Sequence, residues 1–242
     1  MADGQPASPF LHGQLNPPIS FHLIFSKMKT FKLLFSLLAL TFSIQMVSAQ
    51  TKGVISISSS PNATTADYDK ISGALKAKGL WELGWSFHAM GATSPAGLFG
   101  IGFYTSREAY EKRSEATKPV FEAAGVKPAV QVCELYSSFL GSMPAAKPAA
   151  GIVVHFNGTG MTTAQYDQII VELQKETTFP PAGQIAHFCY QTPEGLKVID
   201  VWESAEAFNT FGQKLMPILQ KLGINAGQPV IYSLYNYLKT GN

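Results

Sequence analysis

The sequence predicts an α+β fold in which two tandem βαββαβ repeats pack sheet to sheet. Residues 63–69 recur as residues 161–167, and residues 98–110 align without gaps on residues 196–208 at the same offset of 98. Within each copy, β-branched runs alternate with segments that have one apolar face at helical spacing. A constant offset over this length indicates an internal duplication of one structural unit.

The strands and helices follow the same order in both copies. The predicted strands are 54–58, 85–90, 98–104 and 130–136 in the first copy, and 152–156, 184–190, 196–202 and 230–237 in the second. Hydroxyl side chains suited to cap a helix precede each predicted helix, namely Thr64, Ser106, Thr162 and Ser204. Pro119 and Pro217 fall inside the second helix of each copy and are expected to break or kink it.

This order is that of the ferredoxin-like unit, in which both helices cover one face of the sheet. The other face needs a partner to bury it. Residues 141–150 form a Pro/Ala-rich linker between repeat 1, residues 51–140, and repeat 2, residues 151–240. We therefore predict that the two repeats close on each other as an intrachain pseudo-dimeric α/β barrel. The alternative is that each copy pairs with a second chain.

Residues 28–49 have the pattern of a secretory signal peptide. Two lysines precede an apolar run over residues 33–44, and the short residues 47–49 suit a cleavage site before Gln50. A membrane anchor is the alternative, but the apolar run is short for the ~20 residues that a bilayer requires. Met28 is the expected start, which makes residues 1–27 an over-extended N-terminus. The expected location is periplasmic or secreted.

The composition excludes several functional classes. Of 242 residues, 46% are hydrophobic and 14% are charged, which is typical of a globular protein. The chain has 18 basic and 16 acidic residues, so it lacks the excess of positive charge that is typical of a nucleic-acid-binding protein. Two cysteines exclude a disulfide-rich scaffold or a four-cysteine zinc site. Cys133 and Cys189 are expected to be buried free thiols, and neither a metal nor a cofactor is predicted.

The duplication, with the pattern Gly195-Leu-Lys-Val-Ile-Asp-Val-Trp-Glu-Ser-Ala-Glu-Ala-Phe208, resembles the dimeric α/β-barrel superfamily. The likeness is greatest to its antibiotic biosynthesis monooxygenase-like branch. The resemblance covers nearly all of the mature chain and implies a barrel large enough for a ligand. The superfamily includes cofactor-independent oxygenases of polycyclic phenols, haem-degrading enzymes and small isomerases. Fold alone does not determine which of these reactions a member performs.

The same resemblance raises haem degradation as a candidate activity. Asn157 and Trp202 could take the places of an Asn and a Trp found in the haem-degrading members. Those members also use a His on the second helix as iron ligand. Neither residues 106–124 nor residues 204–222 contain a His, so haem cleavage is not expected.

Strand alternation predicts a set of catalytic side chains in repeat 2. Because Ile152, Val154 and Phe156 are apolar and are expected to face the helices, His155 and Asn157 should point into the cleft between the sheets. Asp200 and Trp202 are assigned to the same cleft from the third strand. His155 is then a candidate general base, Asp200 its orienting partner, and Asn157 a holder of a carbonyl or enolate oxygen. The alternative is a satisfied polar cluster in a sheet interface.

Repeat 1 is expected to provide room for a ligand. Gly102 and Tyr104 replace Asp200 and Trp202 there, and Gly100 lies two residues before Gly102. Glycines within a strand mark either a bend or bulge, or the close approach of a ligand. Tyr104 and Trp202 are candidate apolar walls. His88 and His187 occupy nearly matching places in the two copies and are candidates for substrate binding or for packing.

These features predict an exported small-molecule-binding protein. If it is an enzyme, the resemblance implies a monooxygenase-like or isomerase-like reaction on an aromatic or carbonyl compound. The alternatives are a non-catalytic periplasmic binding or stress-related module, and a structural duplicate with a filled barrel. The expected partner is a small molecule, without nucleic acid and without a membrane span after signal cleavage. A monomer is expected from the pseudo-dimer, and a homodimer is the alternative.

Overall fold

The computed structural model describes residues 53–93, 96–142, 144, 146–176 and 178–240. The predicted signal peptide and the residues before it lie outside the described residues. The elements, in chain order, are β1 Val54–Ser60, α1 Thr65–Ala77, β2 Phe87–Ala92, β3 Leu98–Tyr104, α2 Arg107–Ala124, β4 Ala129–Leu140, β5 Ile152–Phe156, α3 Thr163–Glu176, β6 Gln184–Thr192, β7 Gly195–Trp202, α4 Ala205–Lys221 and β8 Val230–Lys239. The two repeats therefore have the same βαββαβ order.

The eight strands form one closed barrel in the order β1-β3-β2-β8-β5-β7-β6-β4. Within each repeat the last strand pairs with the first, and the third strand lies between the first and the second. The last strand of each repeat also pairs antiparallel with the second strand of the other, as β4 with β6 and β8 with β2. These two seams close the barrel, so the predicted α+β pseudo-dimeric barrel is confirmed.

The helices begin at the predicted hydroxyl caps but do not end at the prolines. The Thr64 hydroxyl accepts from the backbone N–H of Asp67, whose carboxylate accepts from the backbone N–H of Thr64. The hydroxyls of Ser106 and Ser204 accept from N–H groups three residues later. Of the break or kink expected at Pro119 and Pro217, the break is wrong, because α2 and α4 each continue past their proline. A proline removes one backbone donor, and buried side chains on both sides of it hold each helix on its sheet.

The barrel interior is packed with apolar side chains from both repeats. Phe87, Phe103 and Phe188 meet there, with ring centroids 5.5 and 5.8 Å from Phe188. Val153, Ile199 and most other members of this cluster are almost wholly buried. The expectation of a ligand cleft between the two sheets is therefore corrected: side chains of the two inner faces fill that space.

A helical layer covers the outside of each sheet. Helices α1 and α2 pack on repeat 1 around Leu75 and Val120, and α3 and α4 pack on repeat 2 around Leu173 and Ile218. Cys133 and Cys189 are buried free thiols, as expected. In the part of the chain that the structure describes, no helix is long and apolar enough to cross a membrane.

Candidate functional site

A cavity of about 450 Å³ lies in repeat 1, between the sheet and helices α1 and α2. Ser58 and Tyr104 line it from the sheet, and Leu75 and Arg113 line it from the helices. The corresponding space in repeat 2 is about 80 Å³. Pockets that bind small organic ligands typically measure ~300–1,000 Å³. The repeat-1 cavity falls in this range and the repeat-2 cavity does not.

The difference between the repeats follows from a few substitutions between matching positions. At the offset of 98, Ser58 corresponds to Phe156 and Arg113 corresponds to Phe211. Both phenylalanines line the small repeat-2 cavity, where Leu215 and Phe179 also contribute. Large apolar side chains thus occupy in repeat 2 the space that remains open in repeat 1.

Trp85 is the aromatic residue around which the repeat-1 site is built. It precedes β2, which begins at Phe87, so the predicted strand over 85–90 starts two residues too early. The indole lies against Gly102, where a Cβ would come within 2.8 Å of its Nε1. The same nitrogen donates to the Tyr104 hydroxyl at 2.7 Å. Gly102 is therefore required for the close packing of Trp85.

Gly100 lies two residues before Gly102 on β3 and allows a similar close approach. A Cβ on Gly100 would come within 2.5 Å of the Ser58 hydroxyl and 2.9 Å of the Met90 methyl group. Both glycines line the cavity under the helices rather than the expected cleft between the sheets, and protein side chains occupy the space beside them. The open space in repeat 1 comes instead from the short side chains of β1 and from the absence on α2 of the phenylalanine that α4 carries at the matching position.

Arg113 and His88 sandwich the Trp85 indole. The Arg113 guanidinium carbon lies 3.4 Å from the centroid of the indole, and the His88 ring stacks on it at 4.0 Å with planes 1° apart. At these distances the two groups can only occupy opposite faces of the ring. Contact between a cation and an indole face is attractive, and more so away from water. The sandwich fixes Trp85, and through it Tyr104, at the wall of the cavity.

His88 is held as a neutral imidazole. Its Nδ1 donates to the carbonyl of Ile101 at 2.8 Å, because a carbonyl can only accept. Its Nε2 then accepts from the Tyr68 hydroxyl at 3.1 Å, and Tyr68 itself accepts from the Asn236 side-chain amide at 3.0 Å. Burial lowers the pKa of His88 to about 3. With both nitrogens bonded and no charge, His88 orders the wall of the cavity.

Tyr104 presents a phenol surrounded by donors. Burial raises the pKa of Tyr104, and the Arg113 charge and hydrogen bonds with Ser56 and Trp85 oppose that rise. Arg113 is itself buried, and desolvation lowers the pKa of its guanidinium to about 10. The guanidinium is therefore still charged at neutral pH, which gives this wall of the cavity a positive character.

The structure separates the catalytic residues predicted in repeat 2. The β5–β7 register places His155 opposite Ile199 and Val154 opposite Asp200, so His155 and Asp200 lie on opposite faces of the sheet. The expected pairing of His155 with Asp200 is wrong for this reason. His155 stacks on Phe99 at 5.1 Å, and its Nε2 lies 2.8 Å from the Tyr190 hydroxyl. Desolvation lowers the pKa of His155 to about 4.

The remaining repeat-2 candidates are also dispersed. Asn157 is exposed beyond the end of β5. Asp200 accepts from His187 Nδ1 at 2.7 Å and from the Gln184 amide at 2.9 Å, under the helices. His187 Nε2 lies 2.7 Å from the Tyr166 hydroxyl. Trp202 is fully buried in the same layer, and its indole N–H has no hydrogen-bond partner among the residues that the structure describes.

The structure therefore brings together one subset of the predicted site residues. His88, Gly100, Gly102 and Tyr104 share the repeat-1 cavity. Arg113 was not among the predicted residues; it occupies a buried position on the sheet-facing stripe of α2 with Thr117 and Val120. A charged residue at a position with apolar periodicity was the available signal. Within the described ranges, no group of three or more His, Cys, Asp or Glu residues could hold a metal ion.

No family model matches the chain, and no curated protein matches it by sequence. Solved structures do match it. A proposed monooxygenase from Lactobacillus acidophilus superposes with a TM-score of 0.57 at 10% identity, over 78% of this chain and 97% of that one. A proposed monooxygenase from Fusobacterium nucleatum gives 0.56 at 8% identity, over 78% and 95%. A chlorite dismutase variant from Candidatus Nitrospira defluvii gives 0.52 at 7% identity, over 79% and 94%.

At these identities the likeness is one of fold, and fold does not fix the reaction. The element order, the closed eight-stranded barrel and the coverage of almost the whole of each matched chain agree with one another. The chain has the fold of the dimeric α/β-barrel superfamily, with both halves of the barrel on one polypeptide.

Proposed function

We propose that this chain binds a small organic molecule in the repeat-1 cavity. The observation that carries the proposal is the contrast between about 450 Å³ in repeat 1 and about 80 Å³ at the same place in repeat 2. The two repeats share one fold, so a cavity that is large in one repeat and nearly closed at the matching place in the other is not required by that fold. A ligand in repeat 1 is the better explanation of the difference.

The lining suits a mainly apolar ligand with one polar end. Leu75, Met90 and Trp81 supply apolar contact area, whereas Ser56 and Tyr104 supply hydroxyl groups. An apolar wall with a few convergent polar groups is the usual character of a binding pocket.

The test fills the cavity with the residue that repeat 2 uses. Ser58→Phe introduces the phenylalanine of the matching position 156, and Ser59→Phe adds the same ring at an exposed neighbour outside the cavity. Native mass spectrometry of protein recovered from its source cells should show a non-covalent adduct in wild type and Ser59→Phe and none in Ser58→Phe. An adduct of equal occupancy in all three proteins would place the ligand elsewhere and contradict the proposal.

A second candidate is monooxygenase-like turnover of the bound molecule, which the descriptions of two fold neighbours favour. Oxygen uptake on addition of the extracted ligand, abolished by Ser58→Phe and kept by Ser59→Phe, would support it. Binding without oxygen uptake or a change in ligand mass would favour a binding module.

We further propose that the chain is exported, on the signal-like pattern of residues 28–49. Sequencing the N-terminus of protein recovered from the cell envelope or medium should identify Gln50 as the first residue. An N-terminus at Met1 or Met28 in the recovered protein would contradict cleavage and export by this signal.

A further inference from the structure

Arg113 carries a buried positive charge at the wall of the repeat-1 cavity. The side chain is 5% exposed. Its Nη1 donates to the carbonyls of Leu80, Trp81 and Leu83 at 2.8, 3.0 and 3.0 Å. These carbonyls satisfy hydrogen bonds but carry no net charge. The guanidinium therefore keeps its formal charge in a desolvated place.

No carboxylate balances that charge among the described residues. Arg113 takes part in none of the ion pairs found there, and the groups that act on it electrostatically are the phenols of Tyr104 and Tyr68. The nearby His88 is neutral. Buried charges in proteins are normally paired, because an unpaired one is costly to desolvate.

The rest of the cavity lining does not supply a negative charge close to Arg113. Glu122 is the one acidic residue among the described lining residues; it is exposed and forms a 3.9 Å ion pair with Lys118. Lys127 also lines the cavity and is exposed. The exposed lining residues therefore carry more positive than negative charge, and Arg113 is the one charged residue among the buried part of the described lining.

The fold does not require an arginine at this position. Phe211 occupies the matching place in α4, where it packs against Trp202 with ring centroids 5.2 Å apart. Both positions are buried on their helices, with a cation in one repeat and an apolar ring in the other. What distinguishes the arginine is that it faces the larger cavity.

We propose that the ligand of the repeat-1 cavity is a hydrophobic organic anion, an aromatic carboxylate, whose charged group pairs with Arg113. This inference rests on the proposed function and names its substrate class. The apolar side chains of Leu75, Met90 and Trp81 contact the body of the ligand, and Ser56 and Tyr104 supply hydroxyls near its charged end. An ion pair with a guanidinium is strongest where water is excluded, which matches the burial of Arg113.

The experiment compares two probes of the same shape and different charge. Titration calorimetry of wild-type protein with 2-naphthoate and with neutral 2-naphthamide should show tighter binding of the anion by about tenfold or more, the range of a charge-assisted hydrogen bond. Arg113→Met should remove that preference and keep naphthamide binding. Arg107→Met removes an arginine from the same helix outside the cavity, where it pairs with Glu134, and should leave the preference intact.

The outcomes separate the two proposals. Equal affinity of the wild type for both probes would overturn the anion inference and leave the binding function standing. Binding of neither probe would overturn both for ligands of this size. If Arg113→Met fails to fold, Arg113→Gln tests the same point, because it removes the charge, keeps a polar donor and should also remove the preference for the anion. A tenfold preference that survives in a folded Arg113→Met protein would also overturn the inference.

Discussion

The hydroxyl of Tyr235, on the last strand of repeat 2, donates a 2.6 Å hydrogen bond to the carboxylate of Asp69 on the first helix of repeat 1. The reciprocal contact joins Tyr136 to both carboxylate oxygens of Asp167, at 2.9 and 2.8 Å. The duplication therefore preserves a pair of swapped contacts, one at each seam of the barrel. Each seam is held by strand pairing and by a phenol bound to a carboxylate of the other repeat.

Removing these hydroxyls should weaken the association of the repeats. We expect Tyr235→Phe and Tyr136→Phe each to lower the free energy of unfolding by about 1 kcal/mol, less than the ~1.5–3 kcal/mol usual for a hydrogen bond to a charged group, because water reaches both sites. The double variant should lose about the sum, because the two contacts share no partner. Urea denaturation measures this, and unchanged midpoints in both single variants would show that the contacts contribute nothing.

The Tyr136 contact should also fail at alkaline pH. Burial and the Asp167 carboxylate raise the pKa of Tyr136 to about 12, above the ordinary value near 10. The folded state therefore holds this proton longer than the unfolded chain, and its contribution is complete below pH 10 and lost between pH 10 and 12. The difference in unfolding free energy between wild type and Tyr136→Phe should be constant from pH 6 to 9 and shrink above 10. A difference that instead grows above pH 10 would contradict this assignment.

Asp200 should matter for stability more than any exposed carboxylate nearby. Replacing Asp200 with Ala leaves His187 Nδ1 and the Gln184 amide without their acceptor in a buried place. Breaking a buried pair in this way costs ~3 kcal/mol or more. The matched control, Glu203→Ala, changes an exposed carboxylate just beyond the same strand and should stay within about 0.5 kcal/mol. Equal small losses in the two variants, measured by denaturation, would refute a stabilising role.

The effects of substituting Trp85 and Trp202 on stability should run in the order opposite to the burial of the two side chains. Trp202 is the more buried, but its N–H has no partner within the described ranges, so Trp202→Phe removes an unsatisfied donor as well as packing. Trp85→Phe loses the bond to Tyr104 and part of the stack with Arg113. We expect losses of about 1 kcal/mol for Trp202→Phe and about 2 kcal/mol for Trp85→Phe. A larger loss at Trp202 than at Trp85 in thermal unfolding would contradict this account.

Gly102 should be intolerant of a methyl group. The added Cβ would lie 2.8 Å from Trp85 Nε1 and 2.9 Å from the Ser56 hydroxyl, so we expect Gly102→Ala to cost about 2 kcal/mol and to shift tryptophan fluorescence. Gly73→Ala is the control, because nothing lies within 4 Å of the added carbon in that exposed helical position. It should stabilise the protein by ~0.5–1 kcal/mol. Similar effects of both substitutions would contradict the close packing at Gly102.

The fold could be predicted from the sequence because duplication and strand alternation are patterns that can be recognised along a single chain. β3 begins and ends at the predicted residues 98 and 104, and the caps at Thr64, Ser106 and Ser204 are in place. The site was harder to predict because both faces of these strands are buried. Alternation therefore sorts the residues into two faces but does not show which face points into the barrel and which lies under the helices. Asp200 is paired with Val154, and directly paired residues point to the same face of a sheet, so this pairing shows that Asp200 lies under the helices. That pairing depends on register, which a single strand does not encode.

Carrying both halves of the barrel on one polypeptide removes a constraint that two-fold symmetry imposes. A homodimer of a single repeat would present every residue twice, so an arginine facing a void would have to be accommodated on both sides. Here the open, charged wall occurs once, and the matching half keeps Phe156 and Phe211 in a filled layer. One half can therefore specialise for recognition while its twin secures the scaffold, and mutations in each are free to diverge.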